Sequence, residues 1–531
     1  MNGKKIVESY IEKKILPDIS LDRVLDQLTE EFSEKIALVD ANRRITYTGL
    51  HREAIRTAKI FAAEGLKKGD NVMIWMNNRI EFFTVSFALF YLGVKPILML
   101  PNHRRKELET IGRFASAVAV VTYGSELGAD YSKIAADLKN RCHSIKKIFS
   151  YQDDQADVNL SSYPNSMFDQ IVLGAGPAAS DIALFLLSGG TTGIPKLIPK
   201  RHAAYLYNAS CSADRCEVTG DSVYLAALSI AHDYPLCCPG VFGTMLCGGK
   251  SVLAKTASFD EVREWVAKER VTFTSIAPII AQMWVECMEW SNDLDISSLE
   301  YFLIGAAKLS EDAAGKIEAA FNVKIIQGYG LGEGITCFTT KEDPSDISWN
   351  CQGRPISGYD EVKIVAEDGS EAGPLETGEL LQKGPYTFAG YYNADEINRR
   401  VFTDDGYFCT GDKALLTKEG NIKIVGRVKE QINRAGENII PSEIEQYLSA
   451  HEQIREAAVI GLPDATLGEK ICAVLIKNST GLSKEEICKY LTAEGLSNFK
   501  LPDCIVYVDR LPYINVGKVD KKSLRKQIID G

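Results

Sequence analysis

Short apolar runs alternate with longer amphipathic stretches through much of this chain, and no other feature narrows its fold as much. Asn71–Met76 and Pro96–Leu100 read as buried strands, and Glu81–Leu92, closed by Gly93, reads as a helix between them. Ile45, Thr46 and Tyr47 open another helix, and Gly65–Asp70 is a turn. Farther on, helices are expected over 202–215, 259–269 and 279–290, and strands over Ser222–Ala227, Val271–Ile276, Tyr301–Ile304 and Val323–Gln327. Strands separated by helices need crossovers, which predicts parallel sheets covered by helices. Such sheets bind ligands beyond the C-terminal ends of their strands.

From about Gly353 the pattern turns β-rich, punctuated by Gly378, Gly384, Gly390, Gly406 and Gly411. Beyond Lys429 it becomes α+β, with helices over 441–450 and 483–494 and strands near 456–462, 471–477 and 504–508. The expected architecture is α/β. Residues 1–428 form a large N-terminal domain of helix-covered sheets plus a small β-barrel or sandwich. Residues 429–531 form a smaller, mobile α+β domain.

A chain of 531 residues can bury several cores. Its net charge of −11 argues against nucleic acid or an anionic membrane as partner. Met1–Pro17 lacks the apolar core of a signal peptide, and no apolar run is long enough for a membrane span. Thirteen cysteines are scattered without a C-x-x-C pair, which suits reduced thiols in a cytoplasmic enzyme.

Ile182–Leu187 is an apolar strand, followed by Ser188-Gly189-Gly190-Thr191-Thr192-Gly193-Ile194-Pro195-Lys196. Three glycines let backbone N–H groups approach an anion. Ser188, Thr191 and Thr192 add hydroxyls, and Lys196 adds a charge. The stretch reads as a phosphate-binding loop, though without the Gly-Lys-Ser/Thr ending of the P-loop ATPases. Pro101-Asn102-His103-Arg104-Arg105 is another strand-end loop, with Arg104 and Arg105 read as a solvated face.

Five further segments stand in order: Ala231-His232-Asp233-Tyr234-Pro235, Gly305-Ala306-Ala307, Tyr329-Gly330-Leu331-Gly332-Glu333, Thr410-Gly411-Asp412 and Gly426–Arg434. Pro512–Lys518 closes the set. Together with the Gly-rich loop they resemble the motifs of the adenylate-forming enzymes: acyl-CoA ligases, adenylation domains and luciferases. The resemblance covers nearly the whole chain. It implies that residues 188–196 close over the β- and γ-phosphates of ATP, and that Gly305, Ala306 and Ala307 border the adenine with Tyr329 stacked nearby. It implies that Glu333 holds Mg²⁺, a hard ion suited to carboxylate and phosphate oxygens. Asp412 then accepts the ribose hydroxyls, Arg427 contacts the nucleotide, Lys429 is the hinge, and Lys518 is catalytic. Gly332 replaces the family's usual Thr; aryl-acid ligases often carry Ala there.

Within the family the chain looks most like stand-alone 2,3-dihydroxybenzoate/salicylate–AMP ligases of siderophore pathways. Leu197-Ile198-Pro199-Lys200 and Gly384-Pro385-Tyr386-Thr387 support that subgroup. The resemblance implies acyl-adenylate formation and transfer to the phosphopantetheine thiol of a separate carrier protein, the chain ending soon after Lys518. An aryl-CoA ligase using free coenzyme A and an enzyme for an amino-bearing acid are the alternatives. It places His232 as a lid and Asp233, Tyr234, Cys238, Gly305 and Gly330 around the acid. Asp233 stands where aryl-acid ligases usually have Asn, and Cys238 stands where Ser accompanies 2,3-dihydroxybenzoate and Cys accompanies salicylate. An ortho donor without a 3-hydroxyl is the expected substrate feature.

Overall fold

The computed structural model describes the chain except residues 1–2, 127, 165–170, 189–195, 289–294, 307–308, 310, 367, 428–431, 479–480, 515–517 and 531. Two large sheets, parallel in their centres, organise the first 360 or so residues. The seven-stranded sheet runs in the order Lys196–Arg201, Ile182–Ser188, Lys95–Met99, Asn71–Trp75, Ala119–Tyr123, Lys147–Tyr151, Val158–Asn159. The nine-stranded sheet has Lys324–Gly330, Tyr301–Ile304, Phe273–Ile276, Val223–Ala226 and Lys250–Leu253 side by side and parallel.

Both faces of each sheet are covered, which explains why the strands are apolar throughout rather than alternating. Within Asn71–Trp75, Val72 and Ile74 enter the core shared by the two sheets, while Met73 and Trp75 pack on the far side with Leu108, Ile111 and Tyr131. In the nine-stranded sheet, Tyr224 and Ala226 face the shared core, and Leu225 faces Val262, Trp284 and Ile317. Helix Ile80–Tyr91 lies in the shared core and is buried at every position but Glu81. A helix apolar all round can only sit inside.

The helices at His202–Arg215 and Phe259–Glu269 fall where the sequence predicts them. Strand Lys324–Gly330 runs three residues past its expected end because Gly328, Tyr329 and Gly330 pair antiparallel with Phe338, Cys337 and Thr336. The region expected as a small β-barrel or sandwich is an open antiparallel sheet in the order Glu361–Val365, Gly378–Lys383, Phe408–Leu416, Ile422–Arg427. Its apolar side chains Ile364, Leu380, Ala414 and Ile422 are covered by Ile335 and Cys337, so packing on its neighbour replaces closure.

The C-terminal unit is a five-stranded sheet built on the pair Ile454–Asp464 and Gly468–Lys477, with Cys504–Tyr507 added parallel to the latter. Ile444, Leu448, Ile487 and Leu491 of two helices cover one face, and Leu524 of a third covers the other. Lys429 lies outside the described residues, between strands Ile422–Arg427 and Ile432–Arg434. All thirteen cysteines are free thiols. Among the described residues no helix is long and apolar enough to cross a membrane.

One carboxyl gives the small sheet a pH dependence. Burial pushes Asp360 up to about 7, against the hydrogen bond it accepts from the Tyr386 hydroxyl at 2.6 Å. A folded-state pKa above the unfolded value of about 3.9 means the stabilisation is complete below about pH 4 and is lost as pH rises through about 7. Asp360→Asn should therefore melt a few degrees above the parent at pH 8, the gap closing toward pH 5. Calorimetry across that range checks this; a gap independent of pH would remove Asp360 as its cause.

Candidate active site

The parallel strands of the nine-stranded sheet release their chains at one edge, and the sequence segments singled out above converge there. Ile304 ends a strand, and Gly305 follows beneath the Tyr234 ring. A Cβ at Gly305 would lie 3.2 Å from Tyr234 Cζ and 3.1 Å from the Gly328 carbonyl, so only glycine fits without displacing them. Ala306 takes a left-handed φ of +68°, which turns the chain sharply. The Tyr234 hydroxyl is buried and has no hydrogen-bond partner among the described residues. A buried unpartnered hydroxyl is costly, and a polar ligand group would relieve that cost.

Next to it, Asp233 begins a short helix, Asp233–Cys237. Its Oδ1 accepts the Tyr205 hydroxyl at 2.8 Å. Burial pushes this carboxyl up, against the pull of Lys200 and Tyr205. A carboxylate oxygen of Asp233 and the thiols of Cys237 and Cys238 lie within 4.8 Å of one another. Asn208 Nδ2 approaches both sulfurs, at 3.6 Å and 3.5 Å, while its Oδ1 accepts the Thr336 hydroxyl at 3.2 Å. Cys238 Sγ lies 3.9 Å from that same Thr336 hydroxyl. A carboxyl and two thiols, one of them also near Thr336, thus stand side by side.

Glu333 forms a second focus. It is 6% exposed, and its Oε1 accepts the Tyr391 hydroxyl at 2.7 Å. Tyr391 also interacts with Ser188, and Lys196 Nζ stands 4.7 Å from the centre of the Tyr391 ring. Ser188 and Lys196 pair across the two antiparallel strands that flank the Gly-rich loop. Residues 189–195, including Gly189, Gly190, Thr191, Thr192 and Gly193, lie outside the described residues. Four residues on from Lys196, Lys200 is buried and donates to the Gly332 carbonyl at 2.9 Å. At Gly332 a Cβ would lie 2.9 Å from Ile198 Cδ1, a terminal methyl that can shift aside.

Asp412 is buried on strand Phe408–Leu416, and its Oδ2 accepts the Tyr329 hydroxyl at 2.7 Å. Backbone pairing sets Arg427 opposite Asp412. Gly330, the last residue of its strand, is exposed. Ala307 lies outside the described residues.

The C-terminal unit closes over this edge. His232 Nε2 and Glu437 Oε1 are 3.3 Å apart. Asn433 Nδ2 donates to the Ala306 carbonyl at 3.1 Å, and Gly436 faces Ala277 and Ala306. Burial alone would lower the His232 pKa, but Glu437 outweighs it and raises it. His103, to which the sequence reading assigned no role, is buried close by. Its Nδ1 accepts the Leu100 N–H at 3.3 Å, and desolvation lowers its pKa to about 4, so it is neutral at physiological pH. Strand Lys518–Val519 pairs with Tyr513–Ile514; Lys521 and Arg525 beyond it form ion pairs with Glu445 and Glu469 of their own unit. The Lys518 side chain lies outside the described residues.

His103, Lys200, Tyr205, Asn208, Tyr391 and Glu437 are the site-shaping residues that the motifs did not yield. His103 and Lys200 lie inside the segments Pro101–Arg105 and Leu197–Lys200, where their histidine and lysine are the available signal.

The family model for AMP-binding enzymes matches residues 25–392, and that for the AMP-binding enzyme C-terminal domain matches residues 443–518. The chain is 38% identical over 524 residues to the pyochelin synthase PchD of Pseudomonas aeruginosa, covering 98% of this chain and 95% of that protein. It is 36% identical to the 2,3-dihydroxybenzoate-AMP ligase of Bacillus subtilis, covering 99% and 96%. Among solved structures, the apo structure of Mycobacterium smegmatis MbtA matches with a TM-score of 0.74 at 34% identity, covering 98% and 97%.

The His232–Glu437 contact carries a pH signature. With the folded pKa of His232 raised, the stabilisation is full below about pH 6.5 and is lost as pH rises through the raised value. Both side chains are partly exposed, 41% and 36%, which makes the pair a modest one. In NMR titration the His232 imidazole should titrate above its ordinary value, and Glu437→Gln should lower it. An unchanged titration in that variant would show that the two groups do not meet in solution.

Proposed function

This chain belongs to the AMP-binding enzyme family and is an ATP-dependent acid–AMP ligase; from that premise we propose that it activates a benzoate-type acid bearing an ortho donor and passes it to a carrier-protein thiol. The observation that carries this reading is the strand Lys196–Arg201. At one end Lys196 stands against Tyr391, whose hydroxyl holds Glu333, and four residues later Lys200 lies beside Asp233. A single strand thus joins an anion-binding focus to an acid pocket.

In the first half-reaction a carboxylate oxygen of the acid attacks the α-phosphorus of ATP. The bond to the bridging oxygen breaks, and pyrophosphate leaves. Lys196 and the hydroxyls of the Gly-rich loop would hold the β- and γ-phosphates, Asp412 the ribose, and Gly305, Ala306 and Tyr329 the adenine side. The buried carboxylate of Glu333, oriented by Tyr391, suits Mg²⁺, which supplies charge neutralisation at phosphate oxygens. Lys518 would place its charge on the attacking carboxylate. In the second half-reaction a thiol attacks the acyl carbonyl and AMP leaves. The division into residues 1–428 and 429–531, pivoting at Lys429, belongs to the same reading. The orientation described here, with Glu437 at His232, is the one we assign to thiol transfer. A cytoplasmic location accords with the acid, ATP and carrier thiol the reaction would use.

An aryl-CoA ligase is the second reading; useful rates with free coenzyme A in place of a carrier would favour it. ATP–pyrophosphate exchange with a panel of benzoates tests the class, and no exchange with any of them would overturn it.

Lys518→Ala should lower that exchange on the order of a hundredfold or more while sparing thiol transfer from supplied acyl-adenylate. Equal loss in both half-reactions would refute the use of two orientations.

Asp233 and Cys238 bear on the acid itself. Tyr205 occupies Oδ1, which leaves Oδ2 for the substrate. A carboxylate accepts a hydrogen bond from an ortho amine or hydroxyl, and it favours the amine more than Asn would. The Cys238 thiol is a weak partner for a 3-hydroxyl. Anthranilate should therefore gain on salicylate in the wild-type enzyme and lose that gain in Asp233→Asn. Faster exchange with 2,3-dihydroxybenzoate than with either would show this assignment to be wrong.

A further inference from the structure

Glu107 is a buried carboxylate to which the reaction gives no part. It lies in the first turn of helix Arg105–Phe114, and its side chain is 7% exposed. Its Oε2 accepts the Arg104 N–H at 3.1 Å, a local cap. The partners of Oε1 come from the other domain. Ser497 donates its hydroxyl at 2.5 Å, and Lys500 Nζ lies 3.6 Å away. Burial alone would push the Glu107 carboxyl up; Lys500, His103 and Ser497 together hold it below the usual carboxylate range. Around this point the two domains are in close contact. Lys106 Nζ stands 5.8 Å from the Tyr447 ring centre, and a Cβ at Gly495 would lie 3.3 Å from Lys106 Cβ.

We propose that Glu107 is the receptor of an inter-domain latch, closed by Ser497 and Lys500, which holds the C-terminal domain in the orientation seen here and speeds thiol transfer. The assignment of that orientation to thiol transfer rests on the proposed function above.

The contact is specific to one orientation because its halves belong to different domains. A buried carboxylate is tolerated only while paired, and its interactions stabilise the state in which the pairing exists. The two sides of the latch differ. Lys500 also holds Glu443 of its own domain, at 2.9 and 3.0 Å, so it keeps an ion pair when the domains part. Ser497 can turn its hydroxyl to water. Glu107 retains its helix cap, the neighbouring His103 and the solvent that enters. A charge-assisted hydrogen bond of this kind shifts a two-state balance by about tenfold or more, strong enough to bias the orientation and weak enough to release it.

Glu107→Gln is the variant that isolates the charge, because its amide oxygen can still cap Arg104 N–H. Three readouts are needed on the full chain: ATP–pyrophosphate exchange, transfer from supplied acyl-adenylate to free pantetheine, and amide hydrogen exchange by mass spectrometry. The expected result is exchange within about twofold of wild type, thiol transfer down about tenfold, and faster amide exchange in 102–107 and 495–500. Lys500→Gln should reproduce the pattern, which excludes a fault confined to the helix cap. The proposal is overturned if both half-reactions fall equally, since Glu107 then only supports its helix. It is also overturned if transfer is unchanged, or if amide protection in 495–500 does not move. Should wild type show no adenylation with any benzoate, the functional reading fails, while hydrogen exchange still tests the latch.

Discussion

A strand with apolar side chains on both faces satisfies its backbone only through its neighbours, and it has polar freedom only where it stops. That constraint governs this molecule. Val72 and Ile74 bury one face of their sheet while Met73 and Trp75 bury the other, and Tyr224 and Leu225 do the same in the second sheet. Loops rich in Gly, Ser and Asp are therefore confined to the strand ends. Gly305, His232 and Tyr329 come together because their strands are parallel neighbours ending at one edge. The site is a consequence of burying everything else.

The site's polar groups are held by residues far away in sequence. Tyr391 reaches Glu333, Tyr205 reaches Asp233, and Tyr329 reaches Asp412. In each pair a phenol donates to a carboxyl oxygen. The phenol ring fills apolar space while its hydroxyl fixes one oxygen of the acid. Repeating this device three times gives a pocket whose acids keep fixed orientations at little cost in packing.

What the sequence disclosed follows from the same physics. Helices at 202–215 and 259–269 and the strand Tyr301–Ile304 were legible because burial writes a period into the residues. The segments that gather beyond the strand ends were legible because tight turns and close backbone approach demand glycine. Tyr391, Asn208 and Glu437 were not, since nothing local distinguishes a tyrosine that will hold Glu333 from one that fills a core. The sheet at 361–427, expected as a small β-barrel or sandwich, stays open for a related reason. Its apolar face is covered by Cys337 of a neighbouring strand and Ile335 just before it, which strand spacing does not encode. Lys429, the Lys518 side chain and residues 189–195 lie outside the described residues.

The strand Lys196–Arg201 has one more consequence. In an extended chain, alternate side chains share a face, so Lys196, Ile198 and Lys200 lie along one line. Rise per residue makes the Lys196–Lys200 separation about 13 Å, and both neighbouring chain segments pin it: Ile182–Ser188 by its ladder, and Tyr392 by an N–H bond to the Leu197 carbonyl at 3.0 Å. A pinned strand behaves as a ruler. On the proposed function it would set the gap between an acid's ring and the phosphate it must meet, and it would tolerate a change of ring substituent far better than a change of reach. Chemical variety in the substrates of such a pocket should therefore be found around the ring's rim, with the distance from ring to carboxylate held constant.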